Sequence, residues 1–180
     1  MDKRILGIIG SLLYILSFIP HLGLYFLIIG FIALFFAIKD ISQNAAKNLF
    51  IGFLINILGY GIYIIWGIGT FGAILAYLNN PGSTLALSSV IFGILGVLGG
   101  MYILGIISSI FYKNALVELK EKTGIKYFEW AGYLILFGYL SMIFVIGVFI
   151  VIAGWAFALY GFILYQERKA LPKPSPKESR

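Results

Sequence analysis

The chain has 180 residues, 61% of them hydrophobic and 11% charged, with a net charge of +6 and no cysteine. So few charges in so apolar a sequence exclude a water-soluble domain and make lipid the expected solvent, and the missing thiols exclude disulfides and thiolate metal sites. The basic excess flanks apolar runs, where Lys and Arg act as topology anchors beside anionic lipid, so nucleic acid is not an expected partner.

Met1 to Arg4 followed by Ile5 to Ile19 has the outline of a signal peptide, but no small-residue cleavage pattern follows and Leu22 to Ile38 is apolar again, so the reading is an uncleaved first helix. As one helix, residues 5–38 would measure roughly 51 Å, against about 30 Å of hydrocarbon. Pro20, His21 and Gly23 supply the break, which predicts a helical hairpin. Each leg, about 24 Å long, is short for a full crossing. The hairpin either crosses a locally thinned bilayer or dips in and returns.

Lys39 to Lys47 is a polar connector, and Asn48 to about Ile68 is the third span, with Trp66 as an anchor near its far end. Residues 70–84 either prolong that helix or lie along the interface, and Asn79-Asn80-Pro81-Gly82 is a turn. Leu85 to Tyr112 is the fourth span. The charged island Lys113 to Trp130 follows, with Ala115, Leu116 and Leu119 on one helical face and Glu118 four residues before Lys122. It is expected to be a cytoplasmic amphipathic connector, residues 113–129, whose helix stops at Gly124. Ala131 to Tyr165 is again too long for one helix, and Gly147 is the expected hinge of a last hairpin. Residues 167–180, basic and proline-containing, are expected to be a disordered tail.

Shifting the numbering by 124 lays Leu12, Leu16, Ser17, Gly23 and Gly30 on Leu136, Leu140, Ser141, Gly147 and Gly154. The first and last hairpins are therefore candidate repeats in the same orientation, unlike the inverted repeats of many transporters. The charged clusters occupy both termini and every second connection, whereas the turns near His21, Asn79 to Thr84 and Gly147 carry no Lys, Arg, Asp or Glu. Six segments then put every basic residue on one side. This predicts an all-α polytopic membrane bundle, with hairpins 5–38, 48–112 and 130–165 in a membrane domain over residues 1–166. The expected location is the cell membrane, with both termini cytoplasmic.

The run Asn114-Ala115-Leu116, Glu118-Leu119, Thr123-Gly124, Phe128 and Ala131-Gly132, with Leu6 to Ser11 and Ser17-Phe18-Ile19-Pro20, resembles an uncharacterised archaeal and bacterial membrane family known as domain of unknown function 996. The resemblance covers nearly the whole chain up to about Tyr165. It implies a multi-spanning membrane protein without an assigned activity, so no functional residue is carried over.

The expected spans hold no Asp, Glu, Lys, Arg or His, the groups that proton-coupled carriers keep inside the membrane. No catalytic, cofactor or metal site is expected. Asn56 is the most polar residue inside a span, and its carboxamide either bonds a neighbouring helix or lines a solute path with Tyr60, Tyr63 and Thr70. Small residues four apart, Gly7 and Ser11, Ser89 and Gly93, Gly96 and Gly100, Gly105 and Ser109, allow close helix packing within the chain or at a homo-oligomer seam. His21 is either a structural turn residue or a pH-sensitive one. Lys113, Lys120, Lys122 and Lys126 offer a surface to anionic headgroups or to a membrane-protein partner. The expected function is a non-enzymatic structural or interaction role. The alternative is a carrier or channel for a neutral, weakly polar solute, which a wet cavity reaching Asn56 would favour.

Overall fold

A computed structural model describes residues 3–19 and 21–170. They form α1 (Lys3–Leu16), α2 (Gly23–Lys39), α3 (Gln43–Asn79), α4 (Thr84–Thr123), α5 (Lys126–Leu140), a 3-10 turn (Met142–Phe144) and α6 (Ile146–Ala170), with no strand among the described residues. Pro20, assigned to the first break, and residues 171–180 of the expected tail lie outside the described residues.

The two longest helices start on serine caps. Ser42 and Ser83 have extended backbones, and their hydroxyls accept from the N–H of Ala45 at 3.3 Å and of Ala86 at 3.2 Å, satisfying donors that a first turn leaves unpaired. Gly124 ends α4 as expected. Its φ of 70° lies in the left-handed region and its N–H reaches the carbonyl of Lys120 at 2.8 Å, while Lys120 and Lys122 in the last turn complement the helix dipole.

α3 starts five residues before the expected third span and runs through residues 70–79, so that stretch prolongs the helix. Trp66 therefore lies in the middle of α3 with its ring against Gly96, not at a helix end. Residues 113–123 of the island extend α4, and residues 126–130 open α5. The island is not merely solvated, because Ala115, Leu116, Leu119, Ile125 and Phe128 are buried in the core. A helix with one apolar face can be charged towards water and packed behind, which is what its spacing encodes. Residues 167–170 belong to α6.

Each helix packs on the next, and α6 packs on α1, so the six close a ring. Neighbours run antiparallel: Gly7 meets Phe162 while Tyr14 meets Trp155, and Gly52 meets Tyr112 while Gly96 meets Trp66. The connectors that carry Lys39, Asp40 and the island therefore share one end of the bundle. The turns at residues 17–19 and 21–22, 80–83 and 141–145 point the other way.

The last hairpin bends at Ser141 to Val145, not at Gly147. Gly147 lies in the first turn of α6, where an added Cβ would strike the carbonyl oxygen of Gly138 and the backbone of Met142. It is glycine because two backbones touch there. The 124-residue offset reappears in this geometry. Ser17 and Ser141 each donate their N–H to a carbonyl four residues back, at 2.9 Å, and the two non-glycine residues with positive φ among the described residues, His21 at 66° and Val145 at 41°, are 124 apart.

The hairpins differ in reach. α1, α2 and α5 have 14, 17 and 15 residues, but α3 and α4 have 37 and 40. Beyond Tyr60, α3 continues for about 28 Å to Asn79, paired only with α4 as a two-helix arm. Among the described residues three helical stretches are long and apolar enough to cross a membrane, Gln43–Asn79, Thr84–Thr123 and Ile146–Glu167, and the protein has the character of a membrane protein.

Candidate functional site

Where the arm leaves the six-helix body, the ring encloses a cavity of about 500 Å³. Its floor is aromatic. Tyr14 of α1 stacks on Trp155 of α6 with centroids 4.1 Å apart, and Tyr112 of α4 meets both rings edge-on, at 6.0 and 5.7 Å. Such pairs contribute about 0.5 to 1.5 kcal/mol beyond their area and hold α1, α4 and α6 in register.

A polar cluster ties that floor to α3. Asn56 donates through Nδ2 to the hydroxyl of Tyr112 at 3.0 Å, the Tyr112 and Tyr14 hydroxyls lie 3.5 Å apart, and Ser108 donates to the carbonyl of Gly52 at 2.9 Å. Away from water each group needs such a partner. Among the described residues no buried side-chain nitrogen or oxygen lacks one.

Asn56, Gly59 and Tyr60 form the α3 wall, Tyr102, Leu104 and Gly105 the α4 wall, and Tyr139 the α5 side. Among the described residues no Asp, Glu, Lys, Arg or His lines the cavity. Ser17 and Phe18 bound it at the α1 end and Met142 and Ile143 at the α5–α6 turn, while Leu98 and Met101 complete the rim. Leu98, Met101 and Ile143 are exposed, so the space opens to the outside between the arm and the short hairpins. Walls of this kind suit a neutral, mostly apolar molecule with a few hydrogen-bonding groups.

Of the polar residues expected to line a path, Asn56 and Tyr60 lie on the cavity. Tyr63 and Thr70 do not: Tyr63 is exposed on the arm, and Thr70 packs against Gly93 and donates to the carbonyl of Trp66 at 2.9 Å. Tyr14, Tyr102, Tyr139 and Trp155 were not singled out by sequence reasoning. Their helices meet only in the closed ring, although offset pairing of the two hairpins would have aligned α1 with α5.

The small-residue pairs divide by neighbour. Gly7 packs under Phe162, Ser11 is buried and donates to the carbonyl of Gly7 at 2.9 Å, Gly93 and Gly96 face α3, and Gly105 lies under Tyr139. Ser109 is buried and donates to the carbonyl of Ile106, whereas Ser89 is exposed and a Cβ on Gly100 would meet nothing within 4 Å. His21 is exposed at its turn. On the charged end, Lys113 Nζ sits 5.4 Å from the ring centroid of Tyr133, Lys120 pairs with Glu129 at 3.4 Å, Ser42 donates to Glu118 at 3.1 Å, and Lys122 and Lys126 are exposed.

A family model described as Protein of unknown function (DUF996) matches residues 26–156, well over half of the chain. The chain belongs to that family. The match begins inside α2 and ends inside α6, so it takes in the arm, the α4 and α5 walls of the cavity, and Trp155. No curated protein and no solved structure matches the chain.

Proposed function

We propose that the protein is a multi-pass protein of the cell membrane that binds a neutral, weakly polar molecule in the central cavity, as the binding step of a carrier. The observation that carries this reading is an uncharged, aromatic-walled space of about 500 Å³ that reaches Asn56 and opens to the outside. That volume lies within the roughly 300 to 1,000 Å³ of small-molecule sites. A purely structural role is less well supported, because such a role would be served best by an interior packed solid. The proposed activity is binding without catalysis, since the walls offer hydroxyls, one carboxamide and apolar surface.

Both termini are proposed to be cytoplasmic, from the gathering of the basic residues at one end of the bundle. There Lys122 and Lys126 extend the positive surface beside Lys113 and Lys120, and contact with anionic headgroups contributes about 1 kcal/mol per basic residue.

Trp155 reports on the cavity directly. With Trp66 and Trp130 replaced by Phe, it is the sole indole, because the chain has three tryptophans. A short-chain bromo-alcohol, water-soluble and a heavy-atom quencher, is expected to quench it saturably in the reconstituted protein. Quenching that rises linearly without saturation overturns the binding reading.

A further inference from the structure

We infer that the cavity takes a molecule already dissolved in the bilayer, a long-chain neutral amphiphile with one hydroxyl or carbonyl, which enters sideways through hydrocarbon at the level where the short hairpins end. This rests on the solute-binding reading above.

The depth of the mouth follows from the unequal hairpins. Tyr102 donates through its hydroxyl to the carbonyl of Leu140 at 2.8 Å, so the α5–α6 turn lies level with Tyr102 on α4 and, through the Gly59–Leu104 contact, with Tyr60 on α3. From there the arm runs on for about 28 Å to its polar turn, so the hairpin tips lie far below the level of that turn. Large apolar side chains dominate the exposed surface of the arm: Ile65, Ile68, Phe92 and Leu85 are 70–79% exposed. Water cannot be its solvent, and lipid must cover it as far as the polar turn of Asn79, Asn80, Ser83 and Thr84. The ends of the short hairpins therefore lie below the membrane surface.

Two independent features of those ends agree. Ile143, Phe144 and Val145 at the α5–α6 tip are 68%, 74% and 72% exposed, a poor surface for water and an ordinary one for acyl chains. Several of their backbone groups are also satisfied internally, as hydrocarbon favours. Ile19 donates to the carbonyl of Leu16 at 3.0 Å, Phe144 to that of Ser141 at 2.9 Å and Val148 to that of Val145 at 3.1 Å. Ser17 Oγ covers the carbonyl of Tyr14 at 2.7 Å.

The rim of Phe18, Leu98, Met101 and Ile143 thus faces acyl chains, while the polar groups of Asn56 and Tyr14 lie deeper. An occupant must bring its polar end in first and can leave its apolar tail between the arm and the hairpin tips. A water-soluble solute would have to cross hydrocarbon to reach the same opening.

Two measurements on the full chain in vesicles test this, and the chain has no native cysteine. Asn80→Cys and Ile143→Cys are exposed to a membrane-impermeant maleimide on opened vesicles, and Ile143→Cys is expected to react at least about tenfold more slowly. Equal rates overturn lateral access. A long-chain alcohol with a diazirine near its hydroxyl is then photolysed and its adducts mapped. Adducts concentrated on cavity walls, and reduced several-fold by Gly59→Leu but not by Gly67→Leu on the arm, support the proposal. Adducts spread evenly over arm and body overturn it. If the short-chain bromo-alcohol saturates Trp155 quenching while the long-chain probe avoids the cavity, the binding reading stands and the membrane-borne ligand falls; if neither enters, both fall.

Discussion

The carboxamide of Asn56 and the hydroxyl of Tyr112 are 3.0 Å apart, and this bond joins α3 to α4 at the floor of the cavity. Tyr112 is 1% exposed and also faces the hydroxyl of Tyr14, so one phenol serves two helices besides its own.

Tyr112→Phe keeps the ring contacts with Tyr14 and Trp155 but leaves Asn56 and Tyr14 without that partner. The expected coupling between Asn56→Ala and Tyr112→Phe in a double-mutant cycle is about 0.6 to 1.7 kcal/mol, read from reversible unfolding in mixed micelles. A coupling indistinguishable from zero would mean that the bond holds nothing together.

Val145 is β-branched, yet has a φ of 41°, a conformation that costs of order 1–3 kcal/mol. Its side chain is largely exposed and loses little packing when removed. Val145→Gly is therefore expected to stabilise the protein by about 1 kcal/mol, with a smaller gain for His21→Gly because histidine tolerates positive φ better. Thermal unfolding of the purified protein checks both.

Gly147 and Gly67 predict opposite outcomes for the same substitution. A Cβ at Gly147 would meet backbone atoms of Gly138 and Met142, which cannot swing aside. Gly147→Ala is expected to cost about 1 to 3 kcal/mol. At Gly67 a Cβ would meet nothing within 4 Å, and Gly67→Ala should leave the unfolding midpoint unchanged or raise it, since alanine favours a helix by up to about 1 kcal/mol.

On the charged end, burial outweighs charge. The Lys120–Glu129 pair is about one-third exposed at both partners, so Lys120→Ala should change stability by at most about 1 kcal/mol and less at high salt. Leu119, one residue away, is fully buried, and Leu119→Ala should cost about 2 to 5 kcal/mol. The ratio of the two losses, measured at low and high salt, checks the assignment of the island to the core.

Much of this architecture is legible in the chain itself. Charge segregation gives the alternation of turns, and proline, serine and glycine mark most helix ends. Because charge reports on water, it says little about packing behind the charged face, which is why the burial of Leu116, Leu119 and Phe128 emerges only in three dimensions. The bend at Val145 is hidden for another reason: glycine in a sequence suggests flexibility, whereas Gly147 marks contact. Adding 124 to His21 points to the observed bend. The cavity was half legible, through Asn56 and Tyr60. Its remaining tyrosines look like any other aromatic residue of an apolar span until the ring closes.

A body six helices wide at one end and two at the other is a wedge. Lipids pack evenly round a wedge only where the bilayer bulges towards its broad side, so the taper itself couples the protein to membrane shape. Curved vesicles of graded diameter would enrich it by geometry alone, with no headgroup chemistry involved.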